Sequence, residues 1–189
     1  MKRLSLLAAA GLLMASAASA AVLVPGTPVT GTLDGAAAGL LGADLGYQPE
    51  AGSNTTAVLD LVDGLDSMEF IAADASLALD INSDGRLRLW DNTGTGLLGT
   101  HTVELSFADA TLRLALPTLS ALTPLLSGSL QFELLSPQSV RLTLTDARID
   151  TNFAYVDAQL ALAPVPEPAP AALLALGLLG LALRRRSHR

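Results

Sequence analysis

The chain has 189 residues, 50% hydrophobic and 15% charged, with 18 acidic against 11 basic side chains and no cysteine. That length holds one ordinary domain beside two apolar ends, and the lack of cysteine excludes disulfides, a thiolate metal site and a cysteine nucleophile. Residues 21–164 keep five of the 11 basic and 17 of the 18 acidic side chains, a net charge near −12, and such a surface repels a phosphate backbone, so no nucleic-acid partner is expected.

Met1-Lys2-Arg3 supplies a positive start, and residues 4–15 form an apolar run broken by little more than Ser5. Ala18 and Ala20 then present small residues at the two positions that a signal peptidase reads. A signal helix over residues 1–20, cleaved between Ala20 and Ala21, is therefore expected. An uncleaved anchor or a buried helix is the alternative.

Residues 31–46 are rich in Gly and Ala with scattered Leu, and 47–55 look like an exposed loop. Asp60, Asp63 and Asp66 form an acidic run that reads as solvated loop charge before it reads as a cation site. Asn54-Thr55-Thr56 has the form of a glycosylation acceptor and nothing beyond the form.

The most pointed motif is Asp80-Ile81-Asn82-Ser83-Asp84-Gly85, with Leu87 at the eighth place and Asp91 at the twelfth. Oxygen ligands at loop positions one, three, five and twelve, with Gly at six, are what wraps a calcium ion. The stretch resembles an EF-hand or dockerin-type loop, a likeness that implies Asp80, Asn82, Asp84 and Asp91 as ligands and the Arg86 carbonyl at the seventh place. Calcium is thus the one candidate cofactor. The alternation of 75–81 and 86–90 also fits a β-hairpin whose tip is 82–85, and that places Asp91 a strand away from the tip.

His101, the sole histidine outside the last residues, follows Gly99-Thr100 at an expected strand start. Any His-based triad must use it, yet no Gly-x-Ser-x-Gly elbow and no His-Glu-x-x-His pair is present. Seventeen carboxylates could include a glycosidase pair, which sequence alone does not locate. One Trp, two Tyr and four Phe leave no evident aromatic platform for sugars or bases.

From here alternation dominates. Val103, Leu105 and Phe107; Leu112, Leu114 and Leu116; Leu130, Phe132 and Leu134; Val140, Leu142 and Leu144; and Ala154, Val156, Ala158 and Leu160 each alternate with mostly polar neighbours. Period two marks half-buried strands, and turn formers at 82–85, 92–94, 127–128 and 136–138 mark antiparallel hairpins. One apolar face per strand demands a second layer, so the expected fold class is all-β, an antiparallel β-sandwich, with a partly open barrel as the alternative. Residues 117–126, with two prolines among leucines, read as a crossing connection or a short helical turn rather than a central strand.

The last stretch is Val165-Pro166-Glu167-Pro168, then fifteen residues, 169–183, without a polar side chain, then Arg184-Arg185-Arg186. The prolines keep the chain extended and open to a processing enzyme. A helix over 169–183 is about 22 Å long, short of a hydrocarbon core of about 30 Å. The arginines can snorkel and hold that end on the cytoplasmic side, which suits a transmembrane helix with the domain outside.

This tripartite tail, residues 165–189, resembles the PEP-CTERM sorting signal. The likeness implies a Gram-negative exported protein and the integral-membrane protease exosortase as processing partner. It also implies transient anchoring in the inner membrane, followed by a place at the cell surface or in an extracellular, exopolysaccharide-rich biofilm matrix. An ordinary single-pass anchor with a proline-rich stalk is the alternative. Signal peptidase at the start and exosortase at the end are then the two processing enzymes, and the part between carries the activity. A non-enzymatic structural or adhesive role is expected first, a calcium- or glycan-binding module second, and a carboxylate-dependent secreted hydrolase third.

Overall fold

Side chains of a strand point alternately to opposite faces, so each alternating run buries one face and wets the other. The computed structural model describes residues 23–59, 67–82, 84–94, 97–119, 125–149 and 154–162, and all of them lie in the compact unit Ala21–Ala163. Eleven strands follow in chain order: β1 Val29–Leu33, β2 Leu40–Gly42, β3 Thr55–Thr56, β4 Phe70–Ala72, β5 Leu77–Ile81, β6 Arg86–Asp91, β7 Leu97–Phe107, β8 Leu114–Leu119, β9 Leu125–Ser136, β10 Ser139–Ile149 and β11 Ala154–Leu162. The helical content of the described residues is two single 3-10 turns, Ala37–Gly39 and Ala43–Leu45.

Every strand pairing among the described residues is antiparallel, in one sheet ordered β3-β1-β7-β10-β9 and a second ordered β2-β4-β5-β6-β11-β8. The inner face of the first sheet carries Val103, Leu105 and Phe107 of β7 with Val140, Leu142 and Leu144 of β10. That of the second carries Leu77, Leu79 and Ile81 of β5, Leu87 and Leu89 of β6, and Val156 and Leu160 of β11, all in one buried cluster. Each such side chain contributes about 1.5–3 kcal/mol when fully buried, so leucine and valine suffice where aromatics are few. Gly31 also faces this core, because a Cβ there would lie 3.0 Å from Leu40 Cδ1 and 3.3 Å from the Phe70 ring.

The two sheets make a sandwich whose edges are stitched by backbone hydrogen bonds. The Gly31 amide donates to the Asn54 carbonyl at 2.8 Å, and the Gly42 amide of β2 donates to the Ser53 carbonyl beside β3. At the other edge the Leu114 amide of β8 donates to the Pro137 carbonyl between β9 and β10, so backbone joins the sheets along both edges.

Residues 31–46, rich in Gly and Ala, hold the end of β1 and all of β2, strands too short to alternate visibly. One expectation needs correction. Pro117 lies within β8 rather than in a connection. It is tolerated because β8 is an edge strand, where a missing N–H costs no ladder bond on the open side.

The poles of the sandwich differ. Leu162 pairs with Leu114, whose amide donates to the Pro137 carbonyl, while Phe107, paired with Val29, donates its amide to the Gln138 carbonyl. The chain therefore enters and leaves at one pole. The opposite pole gathers the ends of β1 and β6 and the starts of β5 and β7. The signal helix and transmembrane helix expected from sequence lie outside the described residues, among which no helix is long and apolar enough to cross a membrane.

Candidate functional site

The expected calcium loop folds as the hairpin β5–β6. Asp80 stands opposite Arg88 in the register, and Asp91 stands opposite Leu77. Asp91 shares the alternation of Leu87 and Leu89, which face the core, whereas Asp80 alternates with Leu79 and Ile81, so the two carboxylates project on opposite faces of the sheet. They are also separated along the strand: Asp80 lies level with Arg88, three residues or about 10 Å from Asp91 at 3.3 Å per residue.

The remaining groups are committed locally. The Arg86 carbonyl accepts the Asn82 amide at 2.8 Å, and Asp84 Oδ1 accepts the Arg86 amide at 3.0 Å. Asp91 Oδ1 accepts the Thr93 amide and hydroxyl at 2.9 and 2.8 Å and the Gly94 amide at 3.1 Å, closing the turn after β6. Asp80, Asn82, Asp84, Arg86 and Asp91 are thus not gathered round one point. No group of three or more His, Asp or Glu side chains that could hold a metal ion occurs among the described residues.

On the outer face of the second sheet the ladder aligns Asp80, Arg88 and Asp157 in one row and Ala78, Trp90 and Tyr155 in the next. Arg88 donates from Nε and Nη2 to the two oxygens of Asp157 at 2.7 and 2.9 Å. Its guanidinium lies 3.7 Å from the Tyr155 ring centroid and 5.6 Å from that of Trp90, and the two rings meet edge to face at 4.8 Å. An aromatic pair does exist, then, but Arg88 already occupies it, and Trp90 is only 8% exposed.

A more open site lies at the pole remote from the chain exits. A cleft of about 330 Å³ is lined by Leu33, Asp34, Asp74, Ser76, Leu77, Thr93, Leu97, Leu98 and His101. Asp34-Gly35 forms a two-residue hairpin turn with φ of 51° and 75°, the mirror-type turn that Asp-Gly favours, and swings the Asp34 carboxylate over β7. There Oδ1 accepts the Thr102 amide at 2.7 Å, and Oδ2 lies 2.9 Å from His101 Nδ1. His101 Nε2 lies 3.0 Å from the Leu98 carbonyl oxygen.

Both ring nitrogens of His101 thus face acceptors that have no proton to give, and only the imidazolium donates to both. The Asp34 hydrogen bond raises the His101 pKa above its ordinary value, with smaller help from the Leu98 carbonyl and the charge of Asp74 outweighing partial burial. For Asp34, burial acts upward, but the Thr102 amide and His101 together hold its carboxyl below the usual range. The Ser76 hydroxyl and amide hold Asp74 low in the same way.

These states bear on catalysis. In its imidazolium form His101 has no lone pair with which to take a proton from a nucleophile, and the raised pKa extends that form to higher pH. A glycosidase acid needs a carboxyl with a raised pKa, and both carboxyls of the cleft are shifted the other way. Sequence reasoning missed this site because Asp34, Asp74 and His101 are far apart along the chain. The Asp34-Gly35 turn was the one local signal that could have located its first wall.

The sorting residues expected from sequence lie outside the described residues: Ala18, Ala20 and Ala21 at the signal cleavage site, Val165, Pro166, Glu167 and Pro168 at the processing motif, and Arg184, Arg185 and Arg186. So do Asp60, Asp63 and Asp66. What is described ends at Leu162, at the pole where the chain leaves the sandwich. No curated protein and no solved structure matches the chain. Residues 164–186, which begin two positions after β11, match the PEP-CTERM protein-sorting motif, and the chain carries that sorting signal in its C-terminal tail.

Proposed function

We propose that this chain is an exported protein whose β-sandwich acts at the cell surface or in the extracellular matrix, in a structural or adhesive role linked to exopolysaccharide and without catalysis. The sorting motif at 164–186 carries the reading, because such a motif implies export and exosortase processing during membrane transit. The domain supports it in two ways. Its last strand ends at Leu162, so processing near Pro166 leaves the ladder of β11 with β6 and β8 intact. In the cleft at the far pole, hydrogen bonds favour the charged forms of His101, Asp34 and Asp74, which suits the binding of a charged group.

Fractionation of cells producing the chain with an internal epitope tests this. In a host with exosortase the shortened product is expected outside the inner membrane. In the same host without exosortase the longer form is expected to stay in the membrane fraction. Full-length protein in the cytoplasm of both hosts would overturn the reading.

A further inference from the structure

We propose that the cleft at the pole opposite the chain exits is a binding site for an alkylammonium group, a primary amine carried on a short aliphatic stem. The inference goes beyond the sorting reading and does not depend on it. Size, lining, donor supply and charge support it independently.

The cleft, at about 330 Å³, falls within the range of small-ligand sites. Leu33, Leu77, Leu97 and Leu98 give it apolar walls, and Leu98 stands at the rim 81% exposed. Its polar groups are Asp34, Asp74, Ser76, Thr93 and His101.

Hydrogen-bond supply decides the ligand class. His101 directs one N–H to Asp34 and the other to the Leu98 carbonyl. The Thr93 hydroxyl donates to Asp91, and the Ser76 hydroxyl donates to Asp74. The donors of the cleft are thus committed, and what remains is acceptor capacity, chiefly on Asp74. An ammonium brings three donors and no acceptor. A sugar hydroxyl brings an acceptor with each donor and would find no partner for it, and an anion would meet two carboxylates.

Charge agrees with the donor count. Two carboxylates against one histidine leave the cleft net negative in either protonation state of the ring, inside a segment, residues 21–164, with a net charge near −12. Such a field draws cations towards it before any contact is made. The apolar walls then select an ammonium with a stem over a bare metal ion, which would need oxygen ligands on several sides.

Two sources offer this chemistry, a free diamine and a lysine side chain. The test is an amide NMR titration of the full chain in detergent micelles with cadaverine, with Nα-acetyl-lysine methylamide, and with 1-pentanol as the uncharged control. Saturable shifts are expected at the amides of residues 74–77, 93 and 98–102, with either amine and not with pentanol, and the tighter of the two names the source. Asp74→Asn should weaken binding about tenfold, the size of one lost charged hydrogen bond. Leu98→Lys, at an exposed rim position that leaves the fold undisturbed, places a tethered ammonium over the cleft and should weaken cadaverine by a similar factor. Shifts spread over both sheets, equal shifts with pentanol, or unchanged affinity in Leu98→Lys would overturn the proposal.

Discussion

Arg88 grips both oxygens of Asp157 across the β6–β11 ladder, at 2.7 and 2.9 Å, while its guanidinium covers the Tyr155 ring at 3.7 Å. Arg88 and Asp157 are 10% and 21% exposed at their side chains, so this pair is mostly shielded from water. Asp157→Ala would leave the guanidinium without its carboxylate on that side. Unfolding in urea should show a loss of about 2 kcal/mol, below the full cost of breaking a buried pair because some solvent reaches it. Glu133→Ala, at the exposed partner of Arg141, should give no resolvable change.

Gly128 and Gly46 both have positive φ, 79° and 61°, but differ in surroundings. A Cβ on Gly128 would lie 2.3 Å from the carbonyl oxygens of both Thr145 and Asp146, where β10 is bulged against β9, and one on Gly46 would meet nothing within 4 Å. Gly46→Ala is expected to cost about 1 kcal/mol, the ordinary penalty of a left-handed residue. Gly128→Ala should cost about 3 kcal/mol or more, since backbone must also move. Equal melting temperatures for the two variants would contradict the β9–β10 geometry.

His101 makes stability depend on pH in the alkaline direction. Its pKa is raised in the folded state, so its contribution is fully present below the unfolded value near 6.5 and is lost as pH rises through the higher folded value. Asp34, Asp74 and Asp109 are lowered, so their contributions are present above about 4 and fade as pH falls through their folded values. Melting temperature should therefore be highest between these limits. His101→Gln is expected to flatten the decline on the alkaline side and, because His101 also helps to hold Asp34 and Asp74 low, to soften the decline on the acid side, as thermal melts from pH 4 to pH 9 would show.

The parts of this fold that sequence revealed are those where one residue pattern decides the structure. Val103, Leu105 and Phe107 announce β7 because a less buried neighbour separates each from the next, and the same holds for β10 and β11, whereas in β9 the alternation fades at Leu134 and Leu135, both exposed. β2 and β4 have three residues each, too few to show a period, and are held by neighbours instead. For residues 80–91 two patterns competed, ligand spacing and strand alternation. Pairing with β11 and β4 carried the second, because one face of the hairpin could then be buried. Arg88, Trp90 and Tyr155 meet only through the register of β6 with β11, and Asp34 meets His101 only because β1 lies beside β7. No local signal records such neighbours.

The most direct test of the central claim is the intact mass of the product recovered outside the cell or at its surface. The account predicts a chain that begins at Ala21 and ends close to the Pro166-Glu167-Pro168 segment, with the apolar stretch and arginines removed. A product of the full 19.4 kDa, or one that keeps Arg184, Arg185 and Arg186, would contradict it.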